Sequence, residues 1–407
     1  MRLLLSFAAL LLSVVFLQIS SGGVGPLDAL SGLALGFSRA EVGLLGSAHF
    51  LGFFVGCWWA PRLMGTVGHA RAFAAFAAAG AMGLLGHTLI HDAAAWAVMR
   101  IASGACVAGC YTVIEAWLND RLTNETRGRM TGAYRVVDMG ASLVGQLLIS
   151  VLEPVSYVSY NLLALICCAS LFPLTLTKSQ MPETPRTPRL RPNLAWSRSP
   201  LAVAAVVVAG LTSASFRMVG PIYGQEVGLR VDQIAYFLAA FVLGGAIAQL
   251  PVGWLADKYD RRWVLIGLSG AAVFSCLVTV GIGAGGTIMV MFGAGFFGLT
   301  TFPIYSVAAS HAHDFAASHE RVELSAALMF FFAVGAIASP IVTSQLIELF
   351  GPPALFIFLS IGHVLLIVFG GMRMLKGRSV GVRTPYVYAP RTSFTIGRLL
   401  KRERDNK

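Results

Sequence analysis

Ionisable side chains inside long apolar stretches are the residues of this sequence most able to do chemistry. Arg100, Asp138 and Arg217 all occupy such stretches. A charge at the centre of a bilayer costs about 2.5–3.5 kcal/mol on insertion scales, so it usually faces a wet cavity or a partner. These three residues are therefore candidates for binding a substrate or carrying a proton. For Arg100 the alternative is a structural ion pair or a side chain that snorkels to the interface.

The segment around Arg100 carries a face of residues spaced by three or four: Arg100, Gly104, Ala108, Tyr111 and Glu115. On a helix these residues point the same way. Arg100 and Glu115 are about 22 Å apart at 1.5 Å per residue, so they cannot pair with each other. Glu115 lies close to Arg127 and Arg129 along the chain, which indicates either an ion pair of a gate or a proton site.

The next apolar segment carries a second polar stripe, formed by Arg135, Asp138, Ser142 and Gln146. Such a stripe on an otherwise apolar helix predicts a face directed into a cavity. Arg135 lies one turn before Asp138 and could neutralise it, which would make Asp138 structural. Without that pair, Asp138 is a protonatable carboxylate of the kind that proton coupling requires.

Two further candidates lie near helix-bending residues. Ser213 and Arg217 are one turn apart and precede Gly220 and Pro221, which can open or bend a helix. The bend could present Arg217 to a substrate, or Arg217 could pair with an acidic group elsewhere. Asp28 is a weaker candidate, because we expect it to face the hydrated outer mouth of the protein.

The elements that position these residues are membrane helices. Apolar residues make up 56% of the chain, charged residues 12%, and the mean hydropathy is +0.74. Apolar blocks of about 20 residues can each cross a bilayer. They predict an all-α membrane protein of twelve transmembrane helices, near 4–35, 41–60, 71–90, 94–117, 130–152, 155–177, 201–228, 232–256, 263–282, 285–309, 322–348 and 353–375.

Basic residues are distributed unevenly over the connecting loops. They concentrate in one set of loops and in the C-terminal tail, whereas the opposite loops hold only Arg39 and Arg230. Basic loops stay in the cytoplasm, so both termini are predicted to be cytoplasmic. The same distribution accounts for the net charge of +11 without a nucleic-acid partner. The tail is interpreted as a solvated topology signal, or as a contact for anionic lipid headgroups.

Matching residues recur in the two halves of the sequence at one constant offset in residue number. The shift that takes Gly36 to Gly228 also takes Gly52 to Gly244. This indicates two pseudo-symmetric six-helix bundles, the arrangement with which secondary transporters place a site at the repeat interface. We expect an N-terminal bundle over 1–177, a cytoplasmic linker over 178–198, a C-terminal bundle over 199–375 and a basic tail over 376–407.

The most specific local motif is GWLADKYDRR, residues 253–262. It resembles the loop signature of major facilitator transporters, with Asp260 in place of a glycine. A carboxylate at a helix end beside fixed arginines can form a latch, so Asp257, Arg261 and Arg262 are candidates for a cytoplasmic gate. The matching loop of the first half has Gly65 where the motif has its acid, which leaves that half without the usual carboxylate.

Three longer stretches, PRLMGTVGHARAFAAF, VIEAWLND followed by RGR, and FPIYSVAASHAHD, resemble the YcaD-like branch of bacterial major facilitator permeases. The resemblance implies the twelve-helix major facilitator fold in the bacterial inner membrane, and leaves the cargo open. It also implies that spans 1, 4, 7 and 10 line the central path. Asp28, Arg100, Glu115, Arg217, Pro303 and Tyr305 would then surround one cavity.

The sequence contains no nucleotide-binding loop, hydrolase elbow or zinc-protease motif. It therefore predicts a transporter rather than an enzyme, with no cofactor and no metal, in which the histidines near His311 are hydrated. The predicted mechanism is alternating access, coupled to protons, for a small anionic or zwitterionic solute carried by a monomer. The alternatives are efflux of amphipathic drugs and, from another class, a membrane receptor or scaffold that transports nothing.

Overall fold

The computed structural model describes residues 2–122, 124–176, 189–282, 286–376, 384–389 and 391–394. Throughout these ranges the regular structure is helical and contains no strand. The helices are α1 Arg2–Ala34, α2 Arg39–Val67, α3 His69–Gly86, α4 Ala93–Arg121, α5 Asn124–Leu148, α6 Tyr157–Ala169, α7 Leu171–Thr175, α8 Pro192–Arg198, α9 Pro200–Glu226, α10 Val231–Lys258, α11 Arg261–Ile282, α12 Thr287–Asp314, α13 Arg321–Phe350 and α14 Ala354–Lys376. A short 3-10 helix, Ser318–Glu320, precedes α13.

Ten helices in the described part of the chain are long and apolar enough to cross a membrane. One of them combines α6 and α7 as Tyr157–Thr175. The predicted all-α membrane protein is thus confirmed, whereas the number twelve is not. The two predicted spans outside this set are α3, whose 18 residues include His69 and Arg71, and α5, which carries the polar stripe.

Helix ends follow from local sequence. Ser38 and Glu41 form a capping box that starts α2, and the Ser199 hydroxyl accepts from the Ala202 amide to start α9. Between α2 and α3 the chain turns at Gly68, whose φ of +84° favours glycine. Loops that alternate along the chain lie at the same end of the molecule, as Arg261 after α10 pairs with Asp314 at the end of α12, so the basic loops share one end. We call it the arginine-rich end; Arg39 and Arg230 mark the opposite end.

The same helix pairs pack together in both halves of the sequence. In the first half α2 packs on α4, and in the second α10 packs on α12. Glycine permits both contacts: a Cβ at Gly52 would lie 2.0 Å from the Ile101 carbonyl oxygen, and a Cβ at Gly244 would lie 1.9 Å from that of Gly295. Close backbone contact of this kind is how helices pack in lipid. The shift seen in the sequence is therefore present in the packing.

The two halves meet through α2 with α13, α5 with α10, and α1 with α9. Towards the opposite end the contact is tight, since a Cβ at Gly46 would lie 2.8 Å from the Met218 side chain. At that end Arg39 also forms an ion pair of 2.5 Å with Glu226 of the other half. The halves are therefore closed against each other at the opposite end.

Candidate functional site

A cavity of about 150 Å³ lies between the two halves. Its wall mixes ionisable, amide and aromatic side chains from both halves, with two or more residues each from α1, α2, α4, α5 and α9 and one each from α10, α12 and α13. The polar part of the wall is Gln18, Ser21, His49, Tyr111, Asp138, Ser142, Gln146, Ser213 and Arg217, with Tyr388, Arg391 and Thr392 from the tail. Small-molecule sites commonly combine an apolar wall with a few convergent polar groups in this way.

Asp138 lies in the cavity wall and is bound by Tyr111. The Tyr111 hydroxyl is within hydrogen-bond distance of Asp138 Oδ1 and is 2.7 Å from Gln18 Oε1. A phenol has one proton, so it cannot donate to both oxygens at once. One arrangement that satisfies both contacts has a protonated Asp138 donating to Tyr111. A second arrangement turns the Gln18 amide so that its NH2 group donates to Tyr111 and Asp138 stays ionised, so the cluster accommodates either protonation state.

The suggested neutralisation of Asp138 by Arg135 is not what the structure shows. The Arg135 guanidinium instead lies over the Tyr388 ring, 5.0 Å from its centroid. Arginine often stacks on aromatic faces in this manner. The structural alternative for Asp138 therefore loses its proposed partner.

Arg217 enters the same cavity from the second half. Its guanidinium carbon is 5.7 Å from the Phe302 ring centroid, and its Nε has no hydrogen-bond partner in the described chain. Arginine donors suit carboxylate and phosphate oxygens, which they can bind in pairs. A cation with free donors in a cavity wall can hold an anionic group. Asp138 and Arg217 thus bring opposite charges to one site from opposite halves.

Arg100 and Asp28 are brought together directly behind the cavity wall, where Arg100 contacts Met218 of that wall. Arg100 Nε is 3.4 Å from Asp28 Oδ2, and both side chains are at most 2% exposed. The expected hydrated position of Asp28 is wrong, because the residue is buried between α1, α4 and α6. Of the alternatives for Arg100, the structure shows the ion pair. Neither of these two residues lines the cavity.

Two aromatic residues complete the buried pair. Tyr160 donates a hydrogen bond of 3.0 Å to Asp28 Oδ1, and His87 Nε2 lies 3.4 Å from Oδ2. His87 Nδ1 is 2.6 Å from the Gly83 carbonyl oxygen, which can only accept, so Nδ1 carries a hydrogen. The Asp28 carboxylate thus faces a cation, a phenol and an imidazole within the first half.

The latch motif of the second half forms as a cluster at the arginine-rich end. Arg261 is buried and pairs with Asp314 at 2.7 Å and with Asp257 at 3.5 Å. Arg262 pairs with Asp260 at 2.8 Å, so the acid that replaces the motif's glycine provides its partner. The gate candidates of this half therefore lie together.

The first-half gate candidates do not gather in the same way. Glu115 is 1% exposed and accepts from Tyr134 at 3.1 Å, whereas Arg129 is exposed. The side chain of Arg127 lies outside the described residues. Glu115 instead accepts hydrogen bonds from the hydroxyls of Thr392 and Ser393. Of the described partners of Glu115, two come from the tail and the third, Tyr134, comes from α5.

Tyr305 is buried beneath the cavity and lies in its second layer. Its ring centroid is 5.9 Å from the guanidinium carbon of Arg391, which does line the cavity. Burial raises the pKa of the neighbouring Tyr388 phenol, which keeps it neutral. Arg391 therefore meets uncharged rings on this side.

Sequence reasoning missed several residues of the cavity wall. Gln18 and His49 lie alone in apolar helices, with no spacing pattern to mark them. Arg391 lies in a tail that was interpreted as solvated. The residues described also contain no group of three or more His, Cys, Asp and Glu side chains that could hold a metal ion. The site as described works with charge, hydrogen bonds and aromatic rings.

The chain is similar to known transporters along most of its length. The Major Facilitator Superfamily model matches residues 10–223 and 201–394. The uncharacterized MFS-type transporter of Enterobacter sp. is 26% identical over 322 residues, which is 79% of this chain and 83% of that protein. The uncharacterized MFS-type transporter YcaD of Escherichia fergusonii is 26% identical over 325 residues, with the same coverage. These relatives support a multi-pass protein of the bacterial inner membrane.

Two solved structures share the fold. The nucleoside transporter NupG matches with a TM-score of 0.70 at 13% identity, over 91% of this chain and 98% of that one. A bacterial homologue of the human lysosomal transporter Spinster, in an inward-facing and occupied conformation, matches with a TM-score of 0.69 at 14% identity, over 91% and 96%. Together with the family match over both halves, they show that this chain belongs to the Major Facilitator Superfamily and is a membrane transport protein of the YcaD-like kind.

Proposed function

We propose that the chain is a secondary-active transporter that moves a small anionic or zwitterionic solute by alternating access, coupled to protons. The observation that carries this proposal is the pair Asp138 and Arg217, which enter one cavity from opposite halves. Arg217 binds the anionic group of the solute and Asp138 carries the proton. Rocking of the two halves, residues 1–177 and 199–375, then exposes both groups to one side at a time.

The orientation follows from the charge distribution and the closed contacts. With the arginine-rich end in the cytoplasm, both termini are cytoplasmic. The Arg39–Glu226 pair then closes the periplasmic side. The described conformation is inward-facing in this scheme, and a solute would exchange with the cytoplasm through the arginine-rich end. We expect a monomer to be sufficient, since the path lies within one chain.

Solute recognition is supported by the donors around the cavity. Ser213 lies one helical turn from Arg217 and also lines the wall, so a carboxylate could receive hydrogen bonds from both. A zwitterion could in addition place its ammonium group near Asp138. Arg100 does not support anion binding, because Asp28 already neutralises it.

Efflux of amphipathic compounds is a second candidate, favoured by the aromatic wall of the cavity. Phe50, Phe53, Phe302 and Phe332 lie beside the polar groups. Flat apolar compounds stack well on such rings. The cavity volume of about 150 Å³ favours a small anionic or zwitterionic solute over a larger amphipathic compound in the described state.

The test is solute-dependent proton movement in sealed proteoliposomes that contain a pH-sensitive dye. A panel of monocarboxylates, amino acids, organic cations and amphipathic dyes is applied with and without a proton gradient. We expect Asp138→Asn to abolish gradient-driven accumulation while solute exchange continues. Arg217→Ala should raise KM for anions by tenfold or more, about 1.4 kcal/mol.

The matched control is Asp232→Asn, which removes a carboxylate that pairs with Arg230 at the opposite end. It should leave both activities unchanged. Full coupling in Asp138→Asn would remove that residue from the proton path. Binding without any flux across sealed vesicles would instead favour a receptor or scaffold.

A further inference from the structure

The arginine-rich mouth of the central cavity is occupied by a segment of the chain's own tail. This tail strap comprises residues 384–389 and 391–394. It begins on the latch cluster of the second half. The Thr384 amide and hydroxyl both donate to Asp314 Oδ1 at 2.8 Å, and Arg261 donates to the Thr384 carbonyl oxygen. The buried arginine of the latch thus binds the strap directly.

The strap then follows the inner face of the second half. The Tyr386 amide donates to Asp257 Oδ1 at 2.5 Å, and the Tyr386 hydroxyl donates to Gln249 Oε1 at 3.1 Å. The ring fits against Gly253, where a Cβ would lie 2.9 Å from it. Further along, the Ala389 amide donates to the Ser306 hydroxyl at 3.1 Å. Hydrogen bonds hold both backbone and side-chain groups of the strap, so this surface is a specific binding site for a peptide.

The strap ends on the first half. The hydroxyls of Thr392 and Ser393 donate to the two oxygens of Glu115. The Phe394 ring lies 5.6 Å from that of Phe54, and its backbone contacts the Cys57 thiol. A single peptide therefore bridges both halves across the mouth.

Between these anchors, Arg391 enters the cavity and lies among three aromatic rings. Its guanidinium carbon is 5.1 Å from the Phe332 centroid, 5.3 Å from Phe302 and 5.9 Å from Tyr305. Rings at these distances attract a cation through their faces. The three rings form an aromatic cage, which the strap fills with a guanidinium group.

We propose that this mouth is a peptide-binding site for the chain's own tail, and that the bound strap plugs the transport path, with Arg391 competing with the solute for the cavity. The inference rests on the proposed function, because the cavity must be the transport path. Motion of the halves towards each other at this end would produce steric clashes with the strap. The strap therefore has to leave before the protein can adopt the outward-facing conformation. The plugged state is a resting state.

The occupancy of the site can be measured without transport, through Cys57. Cys57 is fully buried beneath Phe394. For the experiment, the five other cysteines are replaced by alanine. In sealed vesicles with the arginine-rich end accessible, a small thiosulfonate reagent should modify Cys57 slowly. The change Arg391→Ala should raise the rate about two- to thirty-fold, the range spanned by one cation–π contact from exposed to desolvated. Thr392→Ala with Ser393→Ala should raise it as well.

Two controls isolate the strap. Arg373→Ala removes an exposed arginine near the end of α14 and should leave the labelling rate unchanged. A protein retaining only Cys276, which is buried in the second half, should label equally with and without the Arg391 change. Thermal unfolding in detergent verifies that each variant is folded.

The competitor in this experiment is a synthetic peptide with the sequence of residues 384–394. It should restore protection of Cys57 in the Arg391→Ala protein and slow its solute exchange, whereas the same peptide with alanine for arginine should act more weakly.

Unchanged Cys57 labelling in the strap variants, together with no effect of the peptide, would overturn the proposal. Protected Cys57 with changed transport would leave the proposed function intact and remove the plug. Altered labelling in a protein that transports nothing would retain the peptide site and refute the transport path.

Discussion

The buried pair of Arg100 and Asp28 predicts that Arg100→Ala destabilises the protein without changing what it carries. The two groups are 3.4 Å apart and at most 2% exposed. At this distance their attraction is about 5 kcal/mol for an effective dielectric constant of 20. Removing one partner of a buried pair costs about 3–5 kcal/mol, because the other charge is left uncompensated. His87 and Tyr160 still contact Asp28, so we expect the lower part of that range.

The assay is thermal unfolding of the purified protein in detergent, arranged as a double-mutant cycle. Arg100→Ala and Asp28→Asn are measured singly and together. If the residues stabilise each other, the double variant loses less than the two single losses added, by about 1–3 kcal/mol. Arg71→Ala removes an exposed arginine on α3 and should leave the midpoint unchanged.

One result would refute this reasoning directly. Arg100→Ala would have to unfold like the unaltered protein while losing transport of a solute that the unaltered protein carries. Arg100 would then act on the solute, in a state where the pair with Asp28 is broken. A shift of the unfolding midpoint with unchanged KM supports the structural role.

Two other predictions concern surface pairs. Glu226→Gln removes the 2.5 Å ion pair with Arg39 between the halves. An exposed pair contributes at most about 1 kcal/mol, so the change should raise the outward-open population by up to about fivefold. Spin-label distances across the opposite end measure this. The hydrogen bond from Arg198 holds the pKa of Glu320 below its usual value. The stabilisation from this pair is complete above the unfolded pKa of about 4.3 and is lost as pH falls through the folded pKa. Hydrogen exchange of α8, corrected for the intrinsic rate, should therefore rise in acid. The change Glu320→Gln should remove that rise.

Helix positions could be predicted from the sequence because a membrane span needs a long apolar run, which is a local property. The predicted spans and the observed helices agree to within a few residues for most of the chain. The polar stripes of α4 and α5 predicted inward faces, and Tyr111, Asp138 and Gln146 of these stripes line the cavity, whereas Arg100 and Glu115 do not. Spacing along one helix fixes which side chains share a face, but it does not fix which members of that face reach the cavity.

Partners on other helices could not be predicted in the same way. Asp28 and Arg100 are far apart in sequence, and nothing local shows that α1 and α4 bring them together. The spacing of Arg135 and Asp138 favoured a pair that the structure replaces with Tyr388 and Tyr111. The tail strap has no long apolar run and no helical spacing, so its sequence resembles that of a solvated segment.

The charges within the cavity lead to one further step about coupling. Asp28 and Arg100 balance each other inside the first half, whereas the cavity holds Asp138 against both Arg217 and Arg391. When Arg391 leaves with the strap, Asp138 and Arg217 remain, and their charges cancel. A monoanionic solute would then add an uncompensated charge to a poorly hydrated space, which is costly unless Asp138 takes up a proton. A zwitterion adds no net charge and imposes no such requirement. Under the proposed function, charge balance would couple one proton to a monoanionic solute, and coupling of equal strength for zwitterions and monoanions would require a proton site other than Asp138.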